Sequence, residues 1–129
     1  MDRELFKKAL DFQLSPKGRI NDLTTEEQLD ILKESIRVFD EKCPGGFSGY
    51  HNILIVQEEL AELIQVLSKS LRSNGMSDTT GIIEELADVS IGLDYVKEVF
   101  GITDEQLHQA RTIKMRRLKG NLTSESGYR

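Results

Sequence analysis

This 129-residue chain has little of several features that mark particular classes of protein. Its only cysteine is Cys43, so no disulfide can form within the chain, which fits a reducing compartment such as the cytoplasm. We find no apolar run long enough to cross a bilayer and no signal-peptide pattern, so we expect a cytoplasmic protein without a membrane partner. Seventeen basic residues against 22 acidic ones give a net charge of -5, which argues against nonspecific nucleic-acid binding.

The sequence also lacks the alternation of apolar and polar residues that is typical of strands, and it has no internal repeat of fixed period. Glycine and proline lie mostly between long helical patterns. We therefore predict an all-α protein, a single domain over residues 1–129 built as an antiparallel bundle of four to five helices. Residues 1–22 are interpreted as an N-terminal extension with a short helix, and residues 122–129 as a frayed tail.

Four longer helices follow from the spacing of apolar residues and from capping signals. Thr24 and Glu27 have the spacing of a capping box. Ser77 or Asp78 is expected to cap the fourth helix of the chain, and Thr103 or Asp104 the last one. The predicted helices run from Thr24 or Thr25 to about 42, over about 51–71, from Ser77 or Asp78 to about 100, and over about 104–119.

Two short acidic motifs lie inside these apolar patterns, at residues 58–62 (EELAE) and 84–88 (EELAD). In each motif two carboxylates are three residues apart, which places them on the same face of a helix. Unpaired carboxylates beside apolar residues cost folding free energy, which favours a functional role for these acids. The two pairs are Glu59 with Glu62 and Glu85 with Asp88.

A short connection between Leu71 and Asp78 predicts that the two acidic helices are antiparallel neighbours. The motifs then lie at similar heights, and four carboxylates can surround one point. Such a site suits hard divalent cations, above all Mg²⁺ where phosphates are handled. Glu58 and Glu84 lie further around their helices, away from the apolar residues, and are expected to be more exposed than the four paired acids. The alternative is that all these residues are ordinary acids of a helix surface.

The order Glu58-Glu59-x-x-Glu62, then 22 residues, then Glu85-x-x-Asp88 resembles the EExxE…ExxD signature of the all-α nucleoside triphosphate pyrophosphohydrolases. This is the MazG-like superfamily, and the sequence is similar to its small bacterial and phage members. The similarity covers residues 50–120. It implies a MazG-like helical fold and an oligomer, either a homodimer or a homotetramer.

The resemblance also implies a reaction and its residues. The metal ligands would be Glu59, Glu62, Glu85 and Asp88, holding Mg²⁺, with Mn²⁺ as a substitute. The enzyme would cleave the α–β phosphoanhydride of a nucleoside triphosphate to give the monophosphate and pyrophosphate, in a role that sanitises the nucleotide pool. Glu59 and Glu62 are the candidate catalytic residues, since a carboxylate not fully used as a ligand can act as general base.

Phosphates also need cationic partners. Lys114 and Arg117 resemble basic residues that follow the acidic motifs in members of this superfamily, and Lys69 with Arg72 are a second choice. Basic residues near a helix end also complement the helix dipole, which is the alternative reading. Tyr95 is a candidate for stacking on a base, against a role in core packing.

Two further features stay open at this point. Gly92, inside a predicted helix, would allow close approach of a helix or a nucleotide. The segment 43–52 is either a lid or base-recognition loop or a plain connection.

Rival functions are a phosphoribosyl-ATP pyrophosphatase-like enzyme and a noncatalytic helical module that binds nucleotide. A carboxylate-bridged di-iron protein is disfavoured because neither motif contains the Glu-x-x-His pair.

Overall fold

The computed structural model describes residues 2–75 and 78–123, and within those ranges the regular structure is entirely helical. The all-α prediction is therefore confirmed. No helix within the described ranges is both long enough and apolar enough to cross a membrane. The six helices are α1 (Arg3–Leu14), α2 (Pro16–Arg19), α3 (Thr25–Lys42), α4 (Tyr50–Arg72), α5 (Thr80–Phe100) and α6 (Asp104–Thr123).

The starts of these helices follow the capping signals of the sequence. At α3 the predicted capping box is formed, because the Thr24 hydroxyl accepts from the Glu27 N–H at 3.1 Å and the Glu27 side chain accepts from the Thr24 N–H at 3.0 Å. Thr103 makes the same reciprocal pair with Gln106 at α6. At α5 the Asp78 carboxylate accepts from the N–H of Thr80, whereas Ser77 lies outside the described residues.

One helix was not predicted, the four-residue α2. Its signal was present in the sequence, since Ser15 is a favoured N-cap residue and Pro16 is suited to the first helical position. The Ser15 hydroxyl accepts from the Gly18 N–H at 3.4 Å. Gly18 is buried against the backbone of Phe12 and Gln13, where a side chain would collide. This additional turn makes six helices where four to five were expected.

The described chain divides into two compact units, one ending at Val96 and one beginning at Lys97. In the first unit, α3 packs against the start of α4. The Asp40 carboxylate accepts from the Ser48 hydroxyl at 2.6 Å and from the Gly49 N–H at 2.9 Å. These bonds attach the segment before α4 to α3. That the whole chain forms a single domain stays a prediction.

The helices α4 and α5 are antiparallel neighbours, as the short connection predicted. Gly92 near the end of α5 faces Val56 near the start of α4, and a Cβ atom at Gly92 would lie 3.1 Å from Val56 Cγ1. At the other end, a Cβ at Gly81 would lie 3.5 Å from Val66 Cγ2. Glycine at position 92 thus lets the two helices approach closely, one of the two roles that we considered for it.

Burial differs from the sequence expectation. Of the apolar side chains that the structure describes, only Val56 and Val89 are buried. The apolar spacing of α4 and α5 predicts buried faces, but many of their apolar side chains are exposed. The contacts of α3 with α4 include the bond between Ser35 and Asn52 near the start of α4. The exposed members of this apolar surface are Leu60, Ile64, Leu67 and Leu71 of α4 and Ile83, Leu86 and Leu93 of α5, with exposures of 39% to 79%.

The second unit contains the last turn of α5 and the whole of α6. Gly101, with φ of 66°, ends α5, and the Lys97 ammonium lies 2.8 Å from the Asp104 carboxylate at the start of α6. The helix α6 reaches Thr123 and so is longer than predicted. The frayed tail over 122–129 stays a prediction, and residues 124–129 lie outside the described ranges.

Candidate metal centre

The four carboxylates predicted to form one site do meet in the first unit. One carboxylate oxygen from each of Glu59, Glu62, Glu85 and Asp88 lies within 4.8 Å of the others. Each helix contributes two of them because residues three apart share a face. The close approach of α4 and α5 at Gly92 and Gly81 then joins the two pairs.

Two of these carboxylates are poorly accessible to water. Glu85 is 8% exposed, and Glu59 is half-buried. The Oε2 atoms of both are buried with no hydrogen-bond partner among the described residues. Buried polar atoms normally have a partner, so these two oxygens are open to a donor or to a cation.

Burial and mutual repulsion also raise the pKa values of carboxyl groups in the cluster. Burial, followed by repulsion from Asp88 and Glu62, raises the pKa of Glu59 to about 7. Burial also raises the pKa of Glu85, with Glu62 and Asp88 adding to the rise and the Arg3 guanidinium opposing it. Each cause disfavours the charged form of the carboxyl group. A divalent cation among these oxygens would relieve the repulsion.

The donor set fits a hard cation. Mg²⁺ and Ca²⁺ take oxygen ligands, and Mg²⁺ is commonly held by one or two carboxylates together with phosphate oxygens of a substrate. Four carboxylates on two rigid helices, with two buried oxygens lacking partners, meet this requirement. Neither Glu58 nor Glu84 belongs to the cluster. Glu58 is exposed as predicted, but the prediction is wrong for Glu84, whose side chain is only 13% exposed and pairs with Arg3.

A cavity of about 100 Å³ lies beside the cluster on the Val56 side. Tyr95 lines it, so the structure brings this candidate residue close to the carboxylates. The wall is otherwise mostly apolar, and it includes two of the four acids. The lining residues are Ile55, Val56, Glu59, Asp88, Ile91, Gly92 and Tyr95.

The basic candidates fall in different places. Lys114 and Arg117 lie on α6 in the second unit, so their role in binding phosphate stays a prediction. Lys69 and Arg72 lie in the last turn of α4, and Lys69 lines a second cavity next to α5.

Two residues near the site were missed in the sequence. Arg3 of α1 reaches α5, where its guanidinium lies 3.1 Å from Glu84 and 3.8 Å from Glu85. No local pattern predicts a contact between residues about 80 apart. Asn52 is 1% exposed, donates to the Ser35 hydroxyl at 3.3 Å, and has a buried Oδ1 without a partner in the described part of the chain. A polar residue on the apolar face of α4 was the available signal for it.

The chain matches no known family model, no curated protein and no solved structure.

Proposed function

We propose that this protein is a Mg²⁺-dependent nucleoside triphosphate pyrophosphohydrolase, which converts a triphosphate and water into the monophosphate and pyrophosphate. The observation that carries the proposal is the meeting of Glu59, Glu62, Glu85 and Asp88 within 4.8 Å, with two of their oxygens buried and unpartnered. The choice of reaction rests on the resemblance of the two motifs to the MazG-like signature. Nucleotide-pool sanitising is the role that this reaction suggests.

In this proposal the four carboxylates hold the cation. When bound, Mg²⁺ would offset the charge of the phosphates and lower the pKa of the attacking water, and Mn²⁺ would serve in its place. Attack on the α-phosphorus breaks its bond to the bridging oxygen, and pyrophosphate departs. We assign acceptance of the water proton to Glu59 or Glu62.

The cavity beside Glu59 and Asp88 is the proposed place for the nucleoside. Its apolar wall and the Tyr95 ring suit a sugar and base rather than a charged group. A base that stacks on Tyr95 would leave its phosphates directed towards the carboxylates. The lining residues include two of those carboxylates, so a nucleoside bound there would lie next to the metal site.

The same proposal includes a homodimer or homotetramer, supported by the apolar surface of α4 and α5. Because the two helices are antiparallel and face each other through Val56 and Gly92, the residues of this apolar surface lie mainly on one side of the pair. The helical repeat places this side opposite Glu62. A second copy of the chain would cover the apolar surface without closing the metal site. Analytical ultracentrifugation tests this, and a monomer at micromolar concentration would contradict it.

The enzymatic proposal is tested by measuring pyrophosphate release from a panel of ribo- and deoxyribonucleoside triphosphates, with Mg²⁺ or with a chelator. Glu59→Gln is the test variant, and Glu58→Gln is its matched control in the same motif. We expect metal-dependent release that is lost in Glu59→Gln and retained in Glu58→Gln.

Other outcomes separate the rivals. Release from phosphoribosyl-ATP alone would support the phosphoribosyl-ATP pyrophosphatase-like enzyme. Binding of a Mg²⁺-nucleotide without turnover of any substrate would support a noncatalytic module and would overturn the enzymatic proposal.

A further inference from the structure

The guanidinium of Arg3 lies at one end of the carboxylate cluster. It bridges two neighbouring acids of α5, with Nη1 3.1 Å from Glu84 Oε1 and Nη2 3.8 Å from Glu85 Oε1. Gly81 makes room for it, since a Cβ atom there would lie 2.7 Å from Arg3 Nη1. Arg3 therefore comes from the N-terminal extension to the edge of the site formed by α4 and α5.

Arg3 shares a cavity of about 340 Å³ with a second cation, Lys69 of α4. The remaining wall comes from Val66 and from the first turn of α5, whose N-terminal dipole also favours anions. One acid, Asp78, is part of the wall, and its Oδ1 is occupied by the N–H and the hydroxyl of Thr80. Two cations and a helix N-terminus thus line the cavity together with one acid that already has donors, while Arg3 also contacts Glu84 and Glu85 at its edge.

This cation-lined cavity and the Tyr95 cavity lie at opposite ends of the carboxylate cluster. Along α4 the order is the Tyr95 cavity at Ile55 and Val56, then Glu59 and Glu62, then the cation-lined cavity at Val66. Along α5 the same order runs backwards because the helices are antiparallel. At 1.5 Å per residue, Glu59 and Val66 are about 10 Å apart along the axis of α4. Along this face of the two helices the lining changes from mostly apolar, to the four carboxylates, to Arg3 and Lys69.

We propose that the cation-lined cavity binds the two phosphates that leave as pyrophosphate, with Arg3 and Lys69 as the binding residues and Glu84 positioning Arg3. The proposal rests on the proposed function, because it assigns the two cavities to the two parts of one nucleotide. The nucleoside lies against Tyr95, the scissile phosphoanhydride at the carboxylates, and the leaving group at the cations. A guanidinium has five donors, so the contact with Glu84 leaves others for phosphate oxygens.

The first experiment measures product inhibition by inorganic pyrophosphate, together with KM and kcat, at fixed Mg²⁺. The variants are Arg3→Gln and Lys69→Gln, and the control is Lys8→Gln on the opposite face of α1. A charge-assisted hydrogen bond is worth enough to predict inhibition by pyrophosphate at least about 10-fold weaker in Arg3→Gln. We expect a smaller loss for Lys69→Gln and no change for Lys8→Gln. Far-UV circular dichroism checks that each variant is folded.

A fourth variant tests whether Arg3 binds phosphate or only attaches α1 to α5. Glu84→Gln removes the ion pair but keeps the cation. If Arg3 only attaches α1 to α5, then Arg3→Gln and Glu84→Gln must weaken pyrophosphate inhibition equally, and that result would overturn the proposal. If Arg3 binds phosphate, Glu84→Gln has the smaller effect. Unchanged inhibition in both Arg3→Gln and Lys69→Gln would also overturn it.

Isothermal titration of inorganic pyrophosphate into the Mg²⁺-containing protein makes the test independent of turnover. Wild-type protein that hydrolyses no triphosphate would contradict the proposed function alone. Pyrophosphate binding that requires Arg3 would still support an anion site in that cavity. Active wild-type protein that binds pyrophosphate equally well with and without Arg3 and Lys69 would contradict only the inference about the cavity.

Discussion

Acidic residues at helical spacing occur in two regions of this protein, with opposite consequences. On α3, Arg37 lies between Glu34 and Glu41 in sequence, donates to both, and lowers the pKa of Glu34. These side chains are 55% to 67% exposed. On α4 and α5, Glu85 is buried and Glu59 is half-buried, and the pKa values of both are raised. In both regions the acids share one face of a helix, but their surroundings differ.

The comparison shows that the residues around an acidic pair decide whether its carboxylates are paired with a cation and whether their pKa values fall or rise. An arginine three or four residues away satisfies the carboxylates of α3 within one helix. Those of α4 and α5 lie beside apolar neighbours and a second acidic helix, and in our proposal a bound cation balances their charge. Variants in the two regions therefore test this comparison.

The largest effect is expected from Glu85→Gln compared with Glu34→Gln. Loss of a buried ligand should reduce Mg²⁺-dependent pyrophosphate release roughly 100-fold or more, because charge stabilisation at the reacting phosphates is lost. Glu34→Gln should leave the rate unchanged. Steady-state kinetics measures both. Equal activity in the two variants would mean that the α4–α5 carboxylates are as incidental as those of α3.

The close approach of α4 and α5 can be broken at Gly92. The Cβ of Gly92→Val would lie 3.1 Å and 3.3 Å from the two methyl carbons of Val56, and the added methyl groups cannot fit without separating the helices. We expect a loss of about 1–3 kcal/mol in the free energy of unfolding, measured by urea denaturation, and weaker Mg²⁺ binding.

The control for this change is Gly120→Ala on α6, where an added Cβ meets no described atom within 4 Å. It should be neutral or slightly stabilising because alanine favours helix. If Gly92→Val leaves both stability and Mg²⁺ binding intact, close helix contact does not hold the carboxylates together.

The raised pKa of Glu59 predicts that the stability of the metal-free protein, measured with a chelator present, depends on pH. The ordinary pKa is 4.5 and the folded value is about 7, so between these values the folded state keeps a proton that the unfolded state loses. Stability contributed by this group therefore falls as pH rises from about 4.5 to about 7. Thermal melts across this range should show the fall, and Glu59→Gln should reduce it. Added Mg²⁺ should stabilise the folded protein most above pH 7, where the Glu59 carboxylate is ionised.

If Glu59→Gln leaves the change of melting temperature with pH unaltered, the pH dependence does not come from Glu59.

The smallest effect is expected on α3. Arg37→Gln removes two exposed ion pairs, and such pairs contribute little because water and salt screen them. The melting temperature should change only slightly, and activity not at all. A large loss of activity would show that the two regions are coupled and would weaken the comparison.

The sequence by itself determined the helices and the membership of the carboxylate cluster. Capping at Thr24 and Thr103 depends on residues three apart, and so does the pairing of Glu59 with Glu62. These are local interactions, set by the repeat of the helix. The short connection between α4 and α5 made their antiparallel pairing predictable as well. Only α2 was missed among the helices, and its Ser-Pro start was a readable signal.

The tertiary structure alone decided which surroundings each side chain has. That Arg3 lies beside Glu84, that Asn52 is buried, and that Leu60 and Ile64 are exposed in the single chain are results of packing between distant segments. The apolar stripe of α4 indicated a buried face, but periodicity does not say whether the same chain or another one covers it. Contacts between residues far apart in sequence depend on how whole helices pack, and no local spacing encodes that arrangement.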